Sequence, residues 1–170
     1  MKIGMEKIAK MIVSGFTGTT FMTASSALMS LLPAENFKEP EHLATMTGRI
    51  APFLSKRAQV LAGWAAHYSM GFLFAAVYVE LWETRKIEHS IKNGFILGVL
   101  SGLLGLLIWK GTFKVHPLPP KMKYFDFYLQ RIPAHVVFAV FSTIAYRLIK
   151  DDEEGGKCES MKNPDENHHL

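Results

Sequence analysis

Four blocks of this chain are apolar for long enough to cross a lipid bilayer as helices: about residues 8–32, 58–82, 91–113 and 127–149. A helix needs about 20 mostly apolar residues for that. The charged side chains within them, Lys10, Glu80, Lys92, Lys110, Arg131 and Arg147, all fall near block ends. None of the blocks carries the continuous polar face of a soluble amphipathic helix. Since every backbone polar group must be satisfied internally in hydrocarbon, such segments are helices. The expectation is an all-α integral membrane protein: a four-transmembrane-helix bundle over residues 1–150, then a disordered polar tail over 151–170.

The first block, preceded by Lys2 and Lys7 and containing "SSA" at 25–27, also has features of a cleaved signal peptide. Its apolar core exceeds the about 7–15 residues usual there, which favours a retained span closed by Pro33. Between the first two blocks, "PEHLATMTGRIAPFLSK" sets Leu43, Met46 and Ile50 at a spacing that fits a short interfacial helix ending before Pro52, or else a loop. The tail "DDEEGGKCESMKNPDENHHL" is charged and nearly free of apolar residues, and its His168 and His169 are too few for a metal tract. It holds the only cysteine, Cys158, so neither a disulfide framework nor a thiolate pair exists. The net charge of +4 suits positive charge beside a membrane, and no basic stripe interleaved with aromatics points to nucleic acid. An even number of spans puts both termini on one side, and a slight excess of Lys and Arg there makes that side cytoplasmic.

Small residues indicate how the helices meet. In lipid there is little hydrophobic drive between helices, so Gly, Ala, Ser and Thr four residues apart let backbones approach. Such rows are Gly15, Thr19, Thr23 and Ala27; Gly63, His67, Gly71 and Ala75; Gly94, Gly98 and Gly102; and Arg131, His135, Ala139 and Thr143. The glycine row at 94, 98 and 102 equally suits contact with a second copy or with another subunit of a membrane complex.

Two rows include a histidine, in "AAHYSMGFLFAAVY" (65–78) and "PAHVVFAVFSTIAY" (133–146), each followed eleven residues later by a tyrosine. His67 and His135 therefore face neighbouring helices, roughly 12–14 Å below one surface if rise is 1.5 Å per residue. With "SGFTG" at 14–18 and "NGFILG" at 93–98, they are consistent with two parallel-repeated helical hairpins. Three chemistries suit the pair. They are axial ligation of a haem, proton or cation handling with Arg131 one turn away, and hydrogen bonding that only holds the bundle in register. His116, in "VHPLPP", is either a third ligand for a metal or an ordinary turn residue. Arg131 reads as an interfacial anchor, or as an inward-facing anion holder, with Asp126 its nearest partner. Glu80, Trp82, Trp109, Tyr124 and Tyr128 read as span-end residues of the kind found in aromatic belts.

From about residue 60 to 150 the chain resembles the YagU-like bacterial inner-membrane proteins. The resemblance rests on His67 followed by "FLFAAVY" and Glu83, Gly94 and Gly98, Pro119 and Pro120, and "AHVV" at 134–137 followed by Arg147. It implies a multi-pass helical protein of a bacterial inner membrane, with no established activity to carry over. Many members have a histidine inside the third helix, where this chain has "LLIW" at 106–109, which weighs against a borrowed metal or haem site. No Gly-rich phosphate loop, HExxH or paired in-membrane carboxylates are present, so enzyme chemistry is not expected. The functional expectation is envelope homeostasis, a subunit of a complex, or a small proton-linked carrier. The alternative is a bis-histidine haem protein for electron transfer.

Overall fold

The structure, a computed structural model, describes residues 4–31 and 35–162, with side chains through residue 152. Pro33, the side chain of Cys158, and His168 and His169 lie outside what is described. Five helices follow in order: α1 (Met5–Met29), α2 (Glu39–Ile50), α3 (Lys56–Thr84), α4 (Ile91–Val115) and α5 (Tyr124–Lys162). Among the described residues there is no strand. Ser55 and Ser90 cap α3 and α4, each accepting a backbone N–H three residues on, from Ala58 and Asn93. Acidic Glu39 and Glu41 with Pro40 open α2, which suits the positive end of a helix.

Three helices, α3, α4 and Tyr124–Asp152 of α5, are long and apolar enough to cross a membrane. This corrects the four-span expectation. At 25 residues α1 has the length, but Ser14, Thr17, Thr19, Thr20, Thr23, Ser25 and Ser26 dilute its apolar character. With three candidate spans, the inference that both termini share a side no longer holds. The outward faces of the spans carry large exposed aliphatics such as Leu61, Leu73, Leu107 and Leu148, as a lipid-facing surface requires.

Helix α1 runs antiparallel to both α3 and α5. Lys7 pairs with Glu80 near one end and Thr23 meets His67 toward the other. The Ser142 hydroxyl donates to the Ser14 carbonyl at 3.0 Å, and the Gln130 amide donates to Ser26 Oγ at 3.1 Å. Several α1 hydroxyls are spent within the helix, Thr19, Thr20 and Thr23 each donating to the carbonyl four residues back.

The small-residue rows do pack helices, each against a definite neighbour. Helix α4 lies on α5 through its glycines: a Cβ at Gly98 would stand 2.5 Å from Val136 Cα, and one at Gly102 2.7 Å from Ile132 Cα. Gly94 faces Thr143, and Gly71 receives Thr19 of α1. Gly63 lies under Pro40 and Ala44 of α2, so this glycine seats the connecting helix and not another span. An aromatic core of Tyr78, Trp82, Phe138 and Tyr146 fills one end of the bundle, and Phe37, Trp109, Phe113 and Phe127 fill the end beside α2.

The connection expected to form an interfacial helix does form α2, yet its first turn is buried among the long helices, with Glu39 and His42 inside. Helix α5 continues to Lys162, into the stretch expected to be a coil.

Candidate functional site

The first turn of α2 brings a carboxylate to the two histidine-bearing helices. Glu39 is 6% exposed and Arg131 0%, and Arg131 Nη1 forms an ion pair with Glu39 Oε1. The same oxygen accepts the Trp109 indole N–H at 2.8 Å, while Oε2 accepts from His67 Nδ1 at 3.1 Å. Three helices thus donate to one carboxyl group. Burial by itself would raise the pKa of Glu39, but the Arg131 guanidinium and the His67 bond outweigh it and hold the carboxyl well below the usual carboxylate range.

Arg131 is tied down on its other edges. Nη2 donates to the Phe37 carbonyl at 2.8 Å and to Gln130 Oε1, Nε donates to the Phe127 carbonyl at 3.3 Å, and the guanidinium lies 4.2 Å from the Phe127 ring centroid. A buried guanidinium needs such a set of acceptors, since an unpaired charge in a low-dielectric interior is very costly. Residues 37–39 supply the two acceptors that lie outside α5. This corrects the reading of Arg131 as an interfacial anchor paired with Asp126. Trp109 likewise belongs to the buried cluster and not to an aromatic belt.

The two histidines meet in one cavity but are not chemically equivalent. His67 uses both ring nitrogens, Nδ1 toward Glu39 and Nε2 toward Thr23 Oγ1 at 2.8 Å. His135 uses one: Nδ1 lies 2.9 Å from the Arg131 carbonyl. A carbonyl only accepts, so Nδ1 carries the hydrogen and Nε2 of the neutral ring is a bare acceptor. Among the described residues Nε2 has no hydrogen-bond partner. The ring edge carrying it lies against Gly105, where a Cβ would come within 2.8 Å of Nε2. The cavity measures about 180 Å³, and all five helices contribute to its wall. Besides Glu39 and the two imidazoles the lining is chiefly apolar, including Met22, Met70, Phe74, Ile108, Trp109 and Phe138.

His116 stands apart from this cluster, its Nε2 donating to the Met46 carbonyl at 3.2 Å and its Nδ1 accepting the Leu118 N–H at 3.1 Å. Both nitrogens are committed, which leaves it no lone pair for a metal. Among the described residues no three His, Cys, Asp or Glu side chains gather closely enough to hold a metal ion. Haem ligation also fits poorly: His67 would have to give up Glu39 or Thr23, and the cavity is below the about 300 Å³ at which ordinary ligand pockets begin.

Glu39, Thr23, Trp109, Gln130 and Gly105 were not singled out as site residues by sequence. One signal was available, a glutamate directly before a proline at the start of a helix, three residues after Asn36 and two after Phe37. No family model, no curated protein and no solved structure matches this chain, so its function is read from the site itself.

Proposed function

We propose that this is a small multi-span membrane protein that passes protons by uptake and release at His67, as a small proton-linked carrier requires. The resemblance to YagU-like proteins supports a bacterial inner membrane as its compartment.

One arrangement carries the proposal. The Thr23 hydroxyl has a single hydrogen and two acceptors within reach, the Thr19 carbonyl at 2.8 Å and His67 Nε2 at 2.8 Å. With His67 neutral, Nδ1–H donates to Glu39 and the Thr23 hydroxyl donates to Nε2. With His67 protonated, Nδ1–H still donates to Glu39, Nε2–H donates to Thr23 Oγ1, and the hydroxyl turns to Thr19. Every polar atom is satisfied in both states, so a proton is gained or lost by rotating one hydroxyl. Glu39, held ionised by Arg131, supplies the fixed acceptor that keeps the ring oriented.

The test is proton flux into vesicles containing the purified protein, driven by an imposed membrane potential and read with an entrapped pH dye. Wild-type protein should carry protons above the rate of protein-free vesicles, and His67→Gln, which cannot be protonated, should return the rate to that baseline. Equal flux in wild type and His67→Gln would end the proposal.

A further inference from the structure

We infer that the cavity binds a small, uncharged, mainly apolar molecule bearing one hydrogen-bond donor, of the phenol or alcohol class, which enters from the bilayer between α3 and α4. The inference rests on the cavity and His135, and stands whether or not His67 moves protons.

The size suits such a ligand. An apolar cavity of about 150 Å³ accepts benzene, and this one offers about 180 Å³ with an aromatic wall that includes Phe74, Trp109 and Phe138. The charge preference follows from which atoms are already taken. Both Glu39 oxygens already accept, from Arg131, Trp109 and His67, so an ammonium would arrive beside a guanidinium and meet a carboxylate whose charge that guanidinium already offsets. An anion finds no free donor, since the Trp109 N–H is engaged and His135 Nδ1–H points to the Arg131 carbonyl. What remains is His135 Nε2, a lone pair on a residue only 4% exposed. It asks for a neutral O–H or N–H, since a buried acceptor left unpaired is costly.

The entry route follows from the wall. Met70 of α3 and Ile108 of α4 line the cavity and are also each 38% exposed on the apolar outer surface. The closely packed helix pairs are α4 with α5, α1 with α5, α2 with α3 and α1 with α3, and the α3–α4 pair is not among them. A long flexible thioether and an aliphatic side chain form that part of the barrier, and Met side chains adapt readily.

The experiment uses the full chain in lipid nanodiscs and ¹⁹F NMR of two probes, 4-fluorophenol and 4-fluorotoluene, with empty nanodiscs correcting for partition into lipid. The phenol should show saturable broadening, and the toluene, alike in shape but without the donor, should bind about tenfold more weakly. Met70→Trp, which fills the mouth from its exposed side, should abolish the difference from empty nanodiscs. His135→Phe should make the two probes bind alike. Equal binding of both probes to the wild type, or phenol binding unaffected by Met70→Trp, would overturn the inference. The wild-type comparison decides the matter even if His135→Phe fails to fold.

Discussion

Replacing Glu39 by glutamine isolates the charge on which the buried cluster depends. The amide keeps the shape, an oxygen that accepts from Trp109 and Arg131, and an NH₂ that can donate to His67 Nδ1 once Nε2–H turns to Thr23. What disappears is the negative charge facing a guanidinium that is 0% exposed. Removing one partner of a buried ion pair costs about 3–5 kcal/mol, and the retained hydrogen bonds argue for the lower end. For a chain of this size each kcal/mol moves the melting midpoint by about 2–4 °C, so Glu39→Gln should melt roughly 6–12 °C lower. The assay is thermal unfolding in detergent micelles followed by circular dichroism at the helix band. Glu41→Gln is the control: it removes the same charge two residues along α2, where the side chain is 47% exposed and already paired with Lys38, and should shift the midpoint by no more than about 2 °C. Adding Arg131→Met to Glu39→Gln should recover much of the loss, because no unpaired charge remains inside. If Glu39→Gln melted within about 2 °C of wild type, the pair would not hold the α2 turn in the bundle.

Three further outcomes follow from the same contacts. Acidification should destabilise the protein in two stages: burial keeps His42 below the 6.5 of a free imidazole and Arg131 helps keep Glu39 below the 4.5 of a free carboxyl, so the unfolded chain binds the extra protons. The His42 contribution is present above about pH 6.5 and fades below it, the Glu39 contribution is lost only as pH falls below about 4.5, and a midpoint that rises between pH 6.5 and 4 would contradict the assignment. Gly98→Ala forces a Cβ to 2.5 Å from Val136 Cα, a backbone clash that should cost about 1–3 kcal/mol in the same melt, whereas Gly111→Ala, with nothing within 4 Å, should be neutral or stabilising by up to about 1 kcal/mol. Thr23→Val removes the acceptor for His67 Nε2–H and should slow vesicle proton flux about tenfold, the effect of one unmade hydrogen bond; unchanged flux would dissociate Thr23 from the exchange.

The helical class and the packing rows were legible because they depend on local chemistry. Glycines at 94, 98 and 102 announce a close neighbour wherever they occur, and they meet α5. The rows at Gly71 and at His135 likewise turn inward. The limits appear where a property belongs to a pair. The composition of α1 looks much like that of the other long helices until its seven hydroxyl side chains are weighed, and then it falls short of a span. Nothing local told that Gly63 would seat α2, since a small residue records that something approaches and not what it is. His67 and His135 sit in matching sequence contexts, yet one has two partners and the other one. Their partners come from α1 and α2 in the first case and from the same helix in the second.

Arg131 shows how such a pair can be sought. A fully buried guanidinium inside an apolar helix must find an anion, and neither α3 nor α4 carries an acid at that level: their glutamates, Glu80 and Glu83, stand at the far end with Lys7 and Lys10. Asp126 lies five residues before Arg131 on α5, on a different side of the helix from residues four apart. The remaining source is a connecting segment that folds back into the bundle, and it must place its carboxylate without burying unsatisfied backbone. Helix α2 meets that condition in its first turn. Pro40 has no N–H to leave unpaired, the Phe37 carbonyl is taken by Arg131, and the Phe37 N–H donates to Ser30 Oγ at 3.0 Å. The charge inside the span thereby dictates the conformation of residues outside it. Because the same carboxylate also orients His67, the ion pair that fixes α2 and the imidazole proposed to exchange protons are one structural unit. A substitution that releases α2 should therefore change the behaviour of His67 without touching it.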